Sequence, residues 1–170
     1  EKTDAELLGH YNLTADGVLT NLGILFVGRQ EDRAKLGTAP VIQFIKFDER
    51  GEKVNKLVWD DHSLNPIELI EAVWRQVPDW QESYEIPDGL YRQNVPHYDE
   101  IVIRELLINA LVHRPYTQRG DIFILLHPDR LQIKNPGRLP LGVTPKNILH
   151  ESIRRNEHFA KLLHDLSLME

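Results

Sequence analysis

The sequence contains no cysteine among its 170 residues, which excludes disulfide bonds and every metal site built from thiolates. No apolar run approaches the ~18 residues that a membrane-spanning helix needs, and nothing at the start resembles a signal peptide. Basic residues are also few: the chain has 20 Lys and Arg and 26 Asp and Glu, which gives a formal net charge of −6. Binding to nucleic-acid phosphates depends on clustered positive charge. We therefore expect a cytoplasmic protein without a membrane partner, whose DNA contacts come from outside this segment.

The composition that remains is that of a globular domain, with 41% hydrophobic and 27% charged residues. Residues 1–16 are polar and unpatterned, so we interpret residues 1–18 as a linker or the tail of a preceding domain. Residues 19–170 are predicted to form one domain. The chain begins without methionine and ends directly after an amphipathic run, so it is expected to be a fragment of a larger protein.

The most informative stretch runs from Ile101 to His113 and is mostly apolar. Its composition predicts a helix buried on nearly every side. Glu105, Asn109 and His113 lie four residues apart and therefore share one helical face. Because an unpaired buried carboxylate costs several kcal/mol, we expect Glu105 to meet a cation, a donor network or a hydrated cleft. A functional site is the simplest explanation of this polar face.

Other local patterns predict an α/β fold, a two-layer sandwich in which helices cover a mixed sheet. Asn65-Pro66 is a helix start, and the helix should end before Pro78. Residues 19–27 favour a short helix capped by Thr20, with a strand as the alternative. Residues 29–38 are predicted to be a loop. Strands or strand pairs are predicted at Val41–Phe47 with Val54–Trp59, at Tyr84–Ile86 with Leu90–Val95, and at Asp121–His127 with Leu131–Lys134; Asn156 should cap a final helix.

Several motifs carry a resemblance to known families. Glu105-Leu-Leu-Ile-Asn109-Ala110 resembles the N-box of the GHKL ATPases, and Ile133-Lys-Asn-Pro-Gly-Arg138 lies where that superfamily has its Asp-x-Gly-x-Gly box. More closely, four segments resemble a family of RecG-related ATP-dependent DNA helicases or transcriptional regulators: Thr20–Phe26, Arg104–Arg114, Asp129–Pro140 and Arg155-Asn156. In that family an AlbA-like (Schlafen-type) DNA-binding domain precedes this region. The resemblance implies a GHKL/Bergerat-like fold.

The resemblance also implies ATP and Mg²⁺ as cofactors, and it assigns roles to residues. Glu105 would be the general base, Asn109 the Mg²⁺ ligand, and the loop residues Asn135, Gly137 and Arg138 would bind the nucleotide. The sequence departs from the superfamily pattern in this loop, because Asn135 replaces the aspartate that reads adenine and Leu139 replaces the second glycine. The glycine-rich lid is expected beyond Glu170, so hydrolysis is expected only in a full-length parent protein.

Structural explanations stand beside these functional ones. Glu105 could pair with Arg104 or Arg114, and Asn109 could satisfy strand ends. Asn135-Pro-Gly137 alone is typical of a turn. His113 and Arg114 stand at the carboxyl end of the helix, where cations complement the helix dipole. The alternative function is a nucleotide-free interaction module of a DNA-binding transcriptional regulator, a hypothesis that includes assembly into a homo-oligomer.

Overall fold

The computed structural model describes residues 2–139, 142–147 and 155–169. Its helices are α1 (Asp4–His10), α2 (Asn21–Val27), α3 (Gln30–Leu36), α4 (Pro66–Gln76), α5 (Glu100–His113) and α6 (Glu157–Asp165), with a 3-10 turn at Pro78–Gln81. Its strands are β1 (Thr14–Ala15), β2 (Val18–Leu19), β3 (Ile42–Phe47), β4 (Lys53–Trp59), β5 (Ser83–Asp88), β6 (Tyr91–Pro96), β7 (Ile122–Leu126) and β8 (Leu131–Lys134).

A four-stranded mixed sheet forms the centre of the fold, in the order β4-β3-β7-β8. β3 pairs with β4 antiparallel and with β7 parallel, and β8 closes the edge antiparallel to β7. Alternate residues of β3 and β7, such as Phe44 and Ile124, are fully buried in a core that α2, α4, α5 and α6 also supply. The predicted fold class, a mixed sheet covered by helices, is confirmed. None of the helices in the described ranges is long and apolar enough to cross a bilayer.

Helix α4 forms where local signals predict it. The Asn65 side chain accepts hydrogen bonds from the backbone N–H groups of Ile67 and Glu68 at 2.9 and 3.0 Å, and the Glu68 carboxylate accepts from the Asn65 N–H at 2.8 Å. This reciprocal capping satisfies donors that a helix start leaves open. The buried face of α4 carries apolar side chains including Ile70 and Val73. The predicted start at Pro66 and end before Pro78 are confirmed.

The prediction of a loop at residues 29–38 was wrong, because α3 occupies most of this segment. The charged composition of this segment indicated a solvated loop, whereas Arg33 is buried. The Arg33 guanidinium donates to the carbonyl oxygens of Gly28, His62 and Ser63 at 2.6 to 2.8 Å. These partners lie outside the helix, so the pattern within residues 29–38 holds no sign of them. The predicted helix at residues 19–27 is confirmed as α2, with Thr20 as its N-cap.

The first residues of the chain contain regular structure. Thr3 caps α1 through a reciprocal pair of hydrogen bonds with Glu6, and Leu13, only 6% exposed, belongs to the hydrophobic core. The interpretation of this stretch as unpatterned was therefore wrong. The domain boundary at residue 18 stays a prediction.

The second predicted strand pair is confirmed as the antiparallel hairpin β5–β6. Nearly all of its residues are exposed, and at its tip Leu90 and Tyr91 are 99% and 81% exposed. The hairpin leads through Asp99 directly into α5.

The Asn65 cap generates a stability prediction. Asn65→Ala should lower the free energy of unfolding by about 1 kcal/mol, because the N–H groups of Ile67 and Glu68 lose their acceptor. Urea unfolding followed by circular dichroism measures this change. Asn94→Ala on exposed β6 is the matched control and should change stability by less than about 0.5 kcal/mol. Equal effects of the two substitutions would contradict the capping role.

Candidate functional site

Helix α5 carries Glu105 and Asn109, two of the predicted site residues. It begins at the N-cap Asp99, whose carboxylate accepts from the Ile101 N–H at 2.8 Å. Leu107 and Leu111 face inward and are fully buried, whereas Ile101 and Val102 are 75% and 53% exposed on the outer side. The expectation of a helix buried all round was wrong, because the sheet and neighbouring helices cover only part of its circumference.

The polar face of α5 lies at the border between core and solvent. Glu105 and His113 are exposed, and Asn109 is half-buried between them. Glu105 therefore keeps its hydration and needs no buried counter-ion. It lines a cavity of about 770 Å³ together with residues of α4 and of the chain after α6, among them Glu71 and Ser167.

Arg104, the residue before Glu105, forms ion pairs with other carboxylates. Its partners are Glu71 and, at 2.7 Å, Glu100. The hydrogen bond from Arg104 lowers the pKa of the Glu71 carboxyl. Across the described part of the chain, Glu105 makes no ion pair with Arg104 or Arg114, so the predicted structural explanation of Glu105 is not the arrangement found.

The carboxyl end of α5 is held by three side chains from outside the helix. The last four carbonyl groups of a helix lack partners within it. Here Asn135 Nδ2 donates to the Ala110 oxygen at 2.9 Å, and the Tyr116 hydroxyl donates to the Leu111 oxygen at 3.1 Å. Asn156 Nδ2 donates to the oxygens of Val112 and Arg114 at 2.6 and 2.8 Å. The end of α5, the loop after β8 and the start of α6 are thus joined at one place. Asn156 stands at the predicted N-cap position of α6, but its side chain serves α5 instead.

The loop after β8 packs directly on the segment that follows α5. Gly137 has φ +89°, and a Cβ there would lie 2.7 Å from Gln118 Nε2 and 2.9 Å from Pro115 Cγ. Opposite it, a Cβ on Gly120 would lie 2.5 Å from the Cβ of Pro136. These three distances are too short for a Cβ without local movement, and with the positive φ of both residues they favour glycine at each position. The absent Cβ of Gly137 thus permits close packing on Pro115 and Gln118.

The side chain of Arg114 stabilises the same region from within the core. It is 1% exposed, and its guanidinium donates to the carbonyl oxygens of Thr38 and Gly120 at 2.8 Å each. The Tyr116 ring covers it, with 5.0 Å between Arg114 Cζ and the ring centroid. Burial lowers the pKa of Arg114 and raises the pKa of Tyr116. Arg114 was expected to complement the helix dipole; that role stays a prediction, and the structure shows that its side chain is buried.

Three of the four segments that carry the resemblance therefore meet in space: the end of α5, the loop after β8 and the Arg155-Asn156 pair. Arg155 donates from Nη2 to the Arg138 oxygen at 2.5 Å, while the next residue, Asn156, holds the end of α5. Sequence reasoning missed Tyr116 and Thr38 in this assembly. Only the position of Tyr116, just beyond the helix-ending Pro115, could have indicated its role.

The arrangement offers specific polar groups. Because a carbonyl oxygen only accepts, the Ala110 contact orients the Asn135 amide with its NH₂ toward α5 and leaves Oδ1 as an acceptor. Asn109 supplies an amide in the residue just before Ala110. Throughout the described residues, no cluster of three or more His, Asp or Glu side chains is suited to a metal ion. A Mg²⁺ ion held through Asn109 would therefore depend on phosphate and water oxygens for its other ligands. The roles of Glu105, Asn109, Asn135, Gly137 and Arg138 stay predictions.

Comparison with a solved structure supports the fold. The DIP2311 protein from Corynebacterium diphtheriae, known from a crystal structure, matches with a TM-score of 0.79 and 23% sequence identity. The match covers all of this chain and 34% of that one, so the chain spans about a third of the length of that neighbour. At this identity the likeness shows the fold alone.

Comparison with known families gives a match over part of the chain. No curated protein matches the sequence. Residues 120–170 match the family described as "Putative ATP-dependent DNA helicase recG C-terminal". The matched stretch contains the loop at Asn135 and the Arg155-Asn156 pair. The predicted resemblance to the RecG-related family is therefore confirmed over residues 120–170.

Proposed function

We propose that this domain is a divergent GHKL-type ATP-binding module of a RecG-related, helicase-like protein or transcriptional regulator. The observation that carries the proposal is the hydrogen bond from Asn135 Nδ2 to the Ala110 oxygen. The bond joins Asn135 to the residue that follows Asn109, which supports a site shared by these two residues, whereas Glu105 lines a cavity with α4 and the chain after α6. The bond also leaves the Asn135 Oδ1 as an acceptor, which suits the amino group of adenine.

The other residues take roles that fit their surroundings. Asn109, half-buried on α5, supplies a neutral oxygen ligand of the kind that Mg²⁺ accepts while it bridges phosphates. Glu105 is exposed one turn earlier, and a hydrated carboxylate can orient or deprotonate an attacking water. Arg138 is exposed at the end of the loop, where its charge can reach nucleotide phosphates.

Hydrolysis and DNA contact belong to the proposal for the whole protein. The chain covers only about a third of its structural neighbour, and its net charge of −6 is unfavourable for binding phosphate backbones. DNA binding is therefore assigned to a separate domain. ATP hydrolysis with Glu105 as general base is assigned to the full-length protein.

A second candidate function has its own supporting observation. Asn135 caps α5, and Gly137 packs on Pro115 and Gln118. Both contacts explain the loop without any nucleotide, and a fold can persist after an activity is lost. The second candidate is a nucleotide-free interaction or oligomerisation module. Light scattering with and without MgATP distinguishes the two, because a nucleotide-dependent change in assembly contradicts the nucleotide-free module.

Asn109 provides the first binding test. Titration with a fluorescent ATP analogue and Mg²⁺ should give saturable binding that Asn109→Ala weakens about tenfold or more, because loss of one ligand to a charged group costs about 1.5 to 3 kcal/mol. Asn94→Ala, an equal substitution on the exposed β6 strand, should bind as the wild type does. Binding that survives Asn109→Ala unchanged would contradict the proposed site.

Asn135 provides a test of base recognition. Adenine presents an amino donor where guanine presents a carbonyl acceptor, so the Asn135 Oδ1 should favour the ATP analogue over the GTP analogue by about tenfold. Asn135→Ala should remove this preference. Circular dichroism must show that the variant is folded, since it also loses the contact with Ala110. A preference for adenine that persists in the folded variant would exclude Asn135 as its source.

A further inference from the structure

A second cavity, of about 600 Å³, opens between the amino-terminal ends of α2 and α6. Segments far apart in the sequence line it: Asn12, Thr20, Asn21, Leu22, Leu25 and Leu36 from the first part of the chain, and Thr38, Tyr116 and residues 155–159 from later parts. Glu105, Asn109 and Asn135 are not among the residues that line it. The cavity is therefore distinct from the proposed nucleotide site.

The interior of this cavity is apolar and aromatic. Leu25 and Phe159 are buried, and the Tyr116 ring stacks on Phe159 with 5.8 Å between ring centroids and 25° between ring planes. At the rim, Asn12 Nδ2 and His158 Nδ1 are 2.9 Å apart and join the two sides. A cavity of this size with an apolar interior and a few polar groups suits a small organic ligand.

Two cations give this cavity a positive character. Arg155 lines it directly. Arg114 is buried behind Tyr116, and its Nε has no hydrogen-bond acceptor within the described ranges. The Asp121 carboxylate interacts with it electrostatically and offsets part of its charge. A charge in such a poorly polarisable interior acts over a longer distance than one in water. Glu157 also lines the cavity, but its side chain is exposed, so solvent screens its charge.

We infer that this cavity binds a small amphipathic anion. Its flat apolar part would lie against Tyr116 and the leucines of α2 and α3, and its carboxylate, sulfonate or phosphate group would pair with Arg155. Because Arg155 also donates to the Arg138 oxygen, the anion would share a residue with the loop after β8. The inference does not require that ATP binds there.

The test uses two probes of similar shape and different charge on the full chain. The anion 1-anilinonaphthalene-8-sulfonate should bind at one saturable site, at least tenfold more tightly than neutral N-phenyl-1-naphthylamine. Arg155→Gln should weaken the anion about tenfold and the neutral probe little, and Arg155→Lys should restore part of the anion's affinity. Arg50→Gln, the same charge change in the turn between β3 and β4, is the control and should leave both affinities unchanged.

A second variant keeps the test decisive if Arg155→Gln fails to fold. Asn21→Trp adds bulk at the exposed rim and should reduce the affinity of both probes, with an unchanged thermal melting curve. Equal affinities of the two probes, or anion binding unaffected by both variants, would overturn the inference. Displacement of the anion by saturating MgATP would also overturn it, since the two sites would then be one. Failure of ATP to bind, with anion binding intact, would refute the proposed function alone.

Discussion

The unsatisfied carbonyl groups at the carboxyl end of α5 are the constraint on which the rest of the site depends. A helix leaves these groups without partners, and in a buried position each one costs free energy. Three side chains from outside the helix, Asn135, Tyr116 and Asn156, satisfy the carbonyl groups of Ala110, Leu111 and Val112. This requirement fixes where the loop after β8 and the start of α6 must lie.

The same constraint explains why glycines and a buried arginine surround the helix end. Once Asn135 contacts α5, the following residues lie so close to the segment after α5 that glycine is favoured at 120 and 137. Arg114 then accounts for two further carbonyl groups, those of Thr38 and Gly120. An isolated buried cation is costly, and here carbonyl dipoles and an aromatic face surround it. The region carries polar groups and lies close to solvent, as binding sites often do.

Local signals predicted much of the fold but little of what holds the site together. α4 was predictable because its cap, its proline start and its proline stop are all encoded within one segment, and the hairpins were predictable from short alternating strands. α3 was not, because Arg33 finds its acceptors outside that helix. The exposed side of α5 was not predictable either, because burial depends on which neighbours the folded chain supplies.

The candidate site shows the same division. The motif around Glu105 and Asn109 and the loop at Asn135 were identified from the sequence, and the structure joins the loop to α5 through Ala110. The contributions of Tyr116 and of the buried Arg114 could not be identified, because they depend on contacts between segments that no periodicity reveals. A charged residue that follows a helix is usually solvated, whereas here tertiary packing buries it.

A crystal structure of the protein with Mg²⁺ and a non-hydrolysable ATP analogue tests the central claim most directly. The adenine amino group is expected within hydrogen-bond distance, about 3 Å, of the Asn135 Oδ1. Mg²⁺ is expected beside Asn109, while the Asn135 Nδ2 keeps its contact with Ala110. A nucleotide bound elsewhere on the chain, or bound only after Asn135 has left α5, would contradict that claim.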